Sequence, residues 1–233
     1  MKRFLLLFFC LIIGNSQAQN IFINEVMTSN ASTIADDDDS YEDWIEIYYT
    51  GTIAFNLEGY GLSDLPSNPY QWVFPEYWIE PGDHLLLWCS GKNRTDINYP
   101  LHTNFKLSSS GETITLTRPD GTIQDQYLAI VIPTDFSYGR QSDGAVAKVF
   151  FQTATPGDPN NTVQGFSEIL NPPTFSVAGG FFTNPFSLTL SPPDPGVTIV
   201  YTTDGSDPEI TNLGGTTYSY KNTYPFDPGT LPS

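Results

Sequence analysis

Apolar residues in this chain come in short runs, and a Gly, Pro, Asn or Asp cuts each run off before a helix of useful length could form. Ile21-Phe22-Ile23-Asn24-Glu25-Val26 reads as a first strand. Residues 28–43 are polar and acidic and read as a long loop. Trp44-Ile45-Glu46-Ile47-Tyr48-Tyr49 then alternates, with Ile45, Ile47 and Tyr49 on one face and Trp44, Glu46 and Tyr48 on the other. Leu57 to Leu62 is a short strand broken by Gly59 and Gly61, and Gln71-Trp72-Val73-Phe74 is another, closed by Pro75. His84 to Cys89 is almost wholly apolar, which predicts a central strand covered on both faces. Ser90 to Asn104 reads as a loop. Thr113-Ile114-Thr115-Leu116-Thr117, the turn Pro119-Asp120-Gly121 and the return from Ile123 to Val131 read as a hairpin. Ser137-Tyr138-Gly139-Arg140 and Ala147 to Gln152 supply the last short strands. About eight strands at roughly ten-residue spacing predict an all-β antiparallel sandwich over residues 19–155. With 25 Thr against 9 Ala, and 19 Gly and 19 Pro, composition agrees.

The breaker-dense Thr155-Pro156-Gly157-Asp158-Pro159-Asn160-Asn161 and then Asn171-Pro172-Pro173 mark residues 156–173 as a semi-rigid linker. Beyond it, Phe186, Leu188 and Leu190 alternate with Ser187 and Thr189, and Val197 to Thr203 reads as a strand closed by Asp204-Gly205. Residues 174–233 form a second β unit, small for a core with neither disulfide nor metal. The final residues offer no closing strand, so this unit is expected to be a truncated piece of a longer protein, irregular over its last ten residues, with a sheet edge left open.

The basic start Met1-Lys2-Arg3, the apolar run Phe4 to Ile13 and the small residues Ser16 and Ala18 predict a secretory signal over residues 1–18, cleaved after Ala18. The run is too short to remain as a membrane span, and no later run is longer. The chain is therefore expected to be secreted or displayed at the cell surface. Only Cys89 survives processing, which leaves no internal disulfide, and its apolar neighbours make it a small buried hydrophobe. A formal net charge of −17 with 9 Lys and Arg argues against nucleic acid or anionic lipid as partners.

Residues 36–46 hold the carboxylates Asp36, Asp37, Asp38, Asp39, Glu42, Asp43 and Glu46. The first six are candidate calcium ligands, since a hard cation takes oxygen donors at this density. The EF-hand frame fails, because counting from Asp36 the glycine position is Tyr41 and the closing glutamate position is Ile47. A solvated acidic loop is the simpler reading. Glu25 and Glu46 lie in strands, where paired carboxylates could do acid–base work on a glycosidic bond. The simpler reading has them facing solvent or bonded to nearby backbone. His84 and His102 match no zinc spacing with Cys89. No phosphate loop, dinucleotide fingerprint or serine-hydrolase elbow occurs. No catalytic residue or cofactor is assigned. Trp72 and Trp88 read as core, and Tyr77 and Trp78 are candidates for an exposed, glycan-binding face.

The order of motifs in the first domain resembles the lamin-tail domain, in the form found in exported bacterial proteins. Ile23-Asn24-Glu25-Val26-Met27 with Ser29-Asn30, Asp43-Trp44-Ile45-Glu46-Ile47-Tyr48, Leu57-Glu58-Gly59-Tyr60-Gly61-Leu62-Ser63-Asp64, Trp72-Val73-Phe74-Pro75 and Ile79-Glu80-Pro81-Gly82-Asp83-His84-Leu85 carry it. Phe105-Lys106-Leu107-Ser108, Gly111-Glu112 and Thr155-Pro156-Gly157-Asp158-Pro159-Asn160 extend it, so that it covers about residues 20–160. The resemblance implies an immunoglobulin-like accessory sandwich with no common catalytic site. Asp36–Asp39 departs from the family's more mixed loop.

The second unit resembles the chitobiase/β-hexosaminidase C-terminal domain through Gly179-Gly180-Phe181-Phe182, Phe186-Ser187-Leu188-Thr189-Leu190 and Ile199-Val200-Tyr201-Thr202-Thr203-Asp204-Gly205-Ser206-Asp207-Pro208. That implies a second immunoglobulin-like accessory sandwich, so the chain reads as two in tandem. The pair in this order looks like the N-terminal part of exported proteins with a spore-coat-protein-H-type, kinase-like domain downstream. The expected role is a non-enzymatic spacer or attachment segment for that downstream domain. The rivals are a module binding cell-surface polysaccharide or protein, and the front of an enzyme whose catalytic domain lies elsewhere.

Overall fold

The computed structural model describes residues 20–192, 194–208, 213, 218–219 and 224–226. The expected signal segment 1–18 and the end of the chain past Phe226 lie outside these residues. The chain is all-β and divides into two compact units, residues 1–168 and 169–233.

The first unit carries β1 (Ile21–Met27), β2 (Asp43–Tyr49), β3 (Phe55–Asn56), β4 (Gly61–Ser63), β5 (Trp72–Val73), β6 (Trp78–Ile79) and β7 (His84–Cys89). They are followed by β8 (Leu101–His102), β9 (Ile114–Thr117), β10 (Ile123–Tyr127), β11 (Ser137–Arg140), β12 (Lys148–Phe151) and β13 (Gly165–Phe166). A seven-stranded sheet of order β13-β12-β11-β1-β2-β7-β8 faces a four-stranded sheet of order β10-β9-β4-β5. Ile23, Val26, Ile45, Ile47 and Leu87 of the first sheet pack with Leu62, Trp72, Ile114, Leu116 and Tyr127 of the second in one core. The alternation of β2 thus places Ile45, Ile47 and Tyr49 inward as its pattern required.

β1 could not keep a simple alternation. Its pairing with β2 slips between Ile23 and Glu25, so Asn24 is an extra residue in the ladder. Without that bulge Glu25 would share the inner face of Ile21 and Ile23. With it, Val26 points into the core and Glu25 to the other face.

Several sequence expectations change here. β7 lies one strand from the sheet edge rather than at its centre, with β8 outside it. β8 arises within the expected loop 90–104 and pairs parallel to β7 through Leu87↔Leu101 and Trp88↔His102. Leu57 to Tyr60 is a turn between β3 and β4, with Gly59 at φ 81°, and only Gly61 and Leu62 of the expected strand are extended in the sheet. Both faces of β7 are covered all the same. Met27, Trp44 and Trp88 form a second apolar cluster on the outer face, against Ile34, Leu86 and Ala154.

The expected linker also differs. Residues 156–168 belong to the first unit, supplying a 3-10 turn at Asn160–Thr162 and strand β13. Asn160 has no solvent exposure. The proline-containing stretch is instead an irregular strap whose Gly157 and Asn160 N–H groups are satisfied by the carboxylates of Glu46 and Asp143 rather than by a ladder.

The second unit contains β14 (Thr174–Phe175), β15 (Phe186–Leu188), β16 (Leu190–Ser191), β17 (Val200–Tyr201), β18 (Tyr218–Ser219) and β19 (Tyr224–Phe226). They pair antiparallel as β14–β16, β15–β19 and β17–β18. Among its described residues only Leu190 and Ile199 are buried apolar side chains, so its core is small, as the sequence led one to expect. The expectation that the last ten residues are irregular fails at β19, which closes on β15 with Ser187↔Pro225 in register. A proline is tolerated at such a position when its missing N–H faces away from the partner.

Candidate functional site

The acidic loop does not gather its carboxylates around one point. Asp36 Oδ1 accepts the N–H groups of Asp38 and Ser40, each at 2.9 Å, while its other oxygen pairs with Lys92. Lys92 Nζ also reaches Asp38 Oδ2 at 2.7 Å. Arg94 spans Asp37 Oδ2 at 3.0 Å and Asp38 Oδ2 at 2.5 Å. Glu42 takes Lys106 at 2.9 Å, and Asp43 Oδ1 accepts the N–H of Asn30. Asp39 is exposed at φ 59°. Five of the six candidate calcium ligands are therefore shared among three basic side chains and two stretches of backbone, while Asp37, Asp38 and Asp39 stay exposed, as a solvated acidic loop requires. Lys92 and Arg94 come from the segment 90–104 that read only as a loop, and Lys106 follows just after it.

Burial would raise Asp36, but the Lys92 ammonium and the Ser40 and Asp38 N–H groups outweigh it and hold the carboxyl below its usual range. Burial raises Asp43. Asp36, Asp37 and His102 bring one ligand atom each within 4.8 Å of the others. The same two carboxylates also carry the ion pairs to Lys92 and Arg94.

Beside this network stands an unforeseen serine–histidine–aspartate line. His102 Nδ1 is hydrogen-bonded to Ser90 Oγ at 2.8 Å, and its Nε2 to Asp37 Oδ1 at 2.9 Å. Nucleophilic catalysis needs the serine to face substrate. Ser90 is only 5% exposed, and its Oγ also accepts the N–H of Lys92 at 3.2 Å. The adjoining cavity opens on the Asp37 side, lined by Asp37, Arg94, Thr95, Asp96 and Tyr99. The line joins β8 to the acidic loop and presents no accessible nucleophile.

Glu25 and Glu46 are paired across the β1–β2 ladder, and both have no solvent exposure. Of the two alternatives in the simpler reading, solvent exposure fails and bonding to backbone holds, since Glu25 takes the Thr155 N–H and Glu46 the Gly157 N–H. Glu25 accepts bonds from Ser137 Oγ, from Thr155 Oγ1 at 2.7 Å and from the Thr155 N–H at 3.1 Å. Glu46 accepts from Asn24 Nδ2 at 3.0 Å and from the Gly157 N–H at 2.7 Å. Asn24 Nδ2 also donates to Asp143 Oδ1 and Asn160 Oδ1. His84 Nε2 stands 3.3 Å from Asp143 Oδ2 without the alignment of a hydrogen bond. Burial raises Glu46 to about 8, partly opposed by the Asn24 and Gly157 bonds and reinforced by Glu25 and Asp143. Burial likewise raises Glu25 against the Ser137 and Thr155 bonds. Acid–base work on a glycosidic bond needs two carboxyls flanking space for the sugar. Here the space between strap and sheet is filled by protein hydrogen bonds. The pair fastens residues 155–160 to the outer face of the sheet.

Trp78 is 58% exposed and donates Nε1 to Glu76 Oε1 at 3.3 Å. Tyr77 is half-buried and packs against the core, so the two glycan candidates do not share one open face. Trp44, Trp72 and Trp88 are buried. Cys89 is a buried free thiol, raised well above its usual range by burial.

Among the described residues no helix is long and apolar enough to cross a membrane. No curated protein matches the chain. The family model described as Lamin Tail Domain matches residues 15–129, which include β1–β10 with the bulge at Asn24, Glu25, Glu46 and the acidic loop. That family is immunoglobulin-like, in keeping with the two packed sheets, and through residues 15–129 this chain is similar to lamin tail domains.

Proposed function

We propose that the chain is an exported, non-catalytic segment that spaces or attaches a further domain of the same polypeptide at the cell surface. The observation that carries this reading is how the reactive side chains are used. Glu25, Glu46, Asp36, Asp37, His102 and Ser90 all spend their hydrogen bonds on neighbouring loops of the same unit. Similarity to a modular immunoglobulin-like domain supports it, as do the apolar leader and the resemblance of the second unit to an accessory module. The kinase-like companion domain belongs to the same proposal. Cell fractionation of the full gene product, with and without codons 19–168, tests attachment. The intact product is expected in the surface fraction and the deleted one in the medium, and equal distribution would sink the reading. Reading the gene past the codon for Ser233 tests the companion domain.

A polysaccharide-binding reading is favoured by one observation, the exposed indole of Trp78. Affinity electrophoresis in gels cast with chitin or cellulose derivatives should then show retardation that Trp78→Ala removes. Unretarded migration of the intact chain discards it.

A further inference from the structure

At the end of the sandwich where β1 begins and β2 ends, the two sheets leave a cavity of about 210 Å³. Asn20, Ile21, Tyr49, Phe55, Tyr60, Arg118 and Gln124 line it. The three rings form a continuous wall, with Tyr49 and Phe55 centroids 5.7 Å apart and Phe55 and Tyr60 5.9 Å apart. The Tyr49 hydroxyl is spent on the Ile53 carbonyl at 2.8 Å, so it shows the cavity ring surface rather than a free donor. Gln124 Nε2 is similarly committed to the Ile21 carbonyl at 2.8 Å.

Arg118 is the only charged residue of the lining. It follows β9, just before the Pro119-Asp120-Gly121 turn, and its carbonyl accepts the Tyr70 hydroxyl and the Gly121 N–H. Its Nη1 donates to Thr122 Oγ1 at 3.1 Å and to the Ile123 carbonyl at 3.4 Å. Among the described residues, Lys92, Arg94, Lys106 and Arg140 stand in ion pairs with carboxylates, whereas Arg118 and Lys148 stand in none. On a chain of net charge −17, Arg118 puts one positive charge in the wall of an aromatic cavity, with the exposed Asp120 carboxylate acting on it from outside the lining. Such a site focuses an anion at its mouth. A mostly apolar wall with one fixed charged group is the general form of a small-ligand site.

We propose that this cavity binds a small aromatic carboxylate, with the ring against Phe55 and Tyr60 and the carboxylate on the Arg118 guanidinium. A cavity of roughly 150 Å³ already accepts a benzene ring, so the space suits one ring. A sugar is a poorer occupant, because its hydroxyls would meet ring carbons on most sides. The guanidinium offers the paired donors that a carboxylate takes in a bidentate bond. The assignment stands apart from the attachment reading and from Trp78.

Titration of the ¹⁵N-labelled full chain with benzoate, followed by NMR, is the test. Shifts are expected at residues 20–21, 49–60 and 118–124, saturating with a dissociation constant of about 1 mM or tighter. Benzyl alcohol, with the ring but no anion, should bind at least about tenfold more weakly than benzoate. Arg118→Gln should weaken benzoate by a similar factor and bring it level with benzyl alcohol. The benzyl alcohol comparison on the unaltered chain holds even if the variant folds poorly. The proposal is overturned if benzoate fails to saturate by roughly 10 mM, if shifts fall elsewhere, if both ligands bind alike, or if methyl glucoside occupies the cavity in preference to benzoate.

Discussion

Glu46 has no solvent exposure, yet it sits opposite a second carboxyl in the same ladder, with Asp143 nearby. The groups facing it are Glu25 on β1, Asn24 at the bulge, Asp143 between β11 and β12, and the Gly157 N–H of the strap. Its folded carboxyl titrates near 8, against 4.5 for an unburied one. The unfolded chain therefore releases this proton first as pH rises. Stability from Glu46 is complete below about pH 4.5 and is lost as pH climbs toward 8, by up to about 5 kcal/mol for a shift of that size. Asp135 works in the opposite sense. The Ser32 hydroxyl and the Ala31 and Ser32 N–H groups hold it down to about 2, so its contribution is present above about 3.8 and disappears as pH falls through 2. Urea denaturation from pH 3 to pH 9 should show greatest stability in the weakly acidic range. In Glu46→Gln the alkaline decline should be much flatter, and a decline as steep as in the unaltered chain would refute this account. On the other side of the strap, Thr155→Val removes one hydroxyl bond from buried Glu25. It should cost about 1–3 kcal/mol in the same measurement at pH 5.

At the scale of elements, the approach of β1 to β11 depends on Gly139. Its pairing with Glu25 leaves no room for a methyl group, since an added Cβ would stand 2.7 Å from the Asn24 carbonyl oxygen and 3.0 Å from Glu25 Cγ. Gly139→Ala should push the strands apart at the bulge and cost about 1–3 kcal/mol. Hydrogen exchange should show lost protection at Glu25 and Gly139 ahead of β9, and uniform protection would contradict the argument. Nothing in Ser137-Tyr138-Gly139-Arg140 distinguishes this glycine from a turn residue. The reason for it is a carbonyl more than a hundred positions away along the chain. The hairpin at Pro119-Asp120-Gly121 was legible, because turn chemistry is local: Gly121 adopts φ 87°, and the Arg118 N–H meets the Thr122 carbonyl at 2.8 Å. β8 was not legible, since two residues in a polar stretch carry no period, and their pairing partner is the far side of β7.

At the scale of the whole molecule, the two units differ in how much apolar surface they bury. The first has a core drawn from both sheets together with a second apolar cluster, and the second buries Leu190 and Ile199 among its described residues. Hydrophobic stabilisation follows apolar area removed from water. Calorimetry should therefore resolve two transitions, the cooler one belonging to residues 169–233. A chain ending at Glu168 should keep the warmer transition within a few degrees. A single cooperative transition in the intact chain would exclude independent units. The boundary was misplaced in the sequence because prolines and glycines at 156–159 look alike in a linker and in a strap. Only the acceptors waiting on the sheet tell the two apart.

Strand lengths, the inward face of β2, the tight hairpin after β9 and the presence of two β units follow from residues a few positions apart. Periodicity and turn preference are properties of neighbouring backbone and need no knowledge of distant contacts. The protonation of Glu46, the partition of the acidic loop among Lys92, Arg94 and Lys106, and the cationic aromatic cavity were decided only by tertiary structure. Desolvation and charge pairing depend on what covers a side chain. Here Gly157 lies 111 positions from Glu46, and Lys92 lies 54 positions from Asp38.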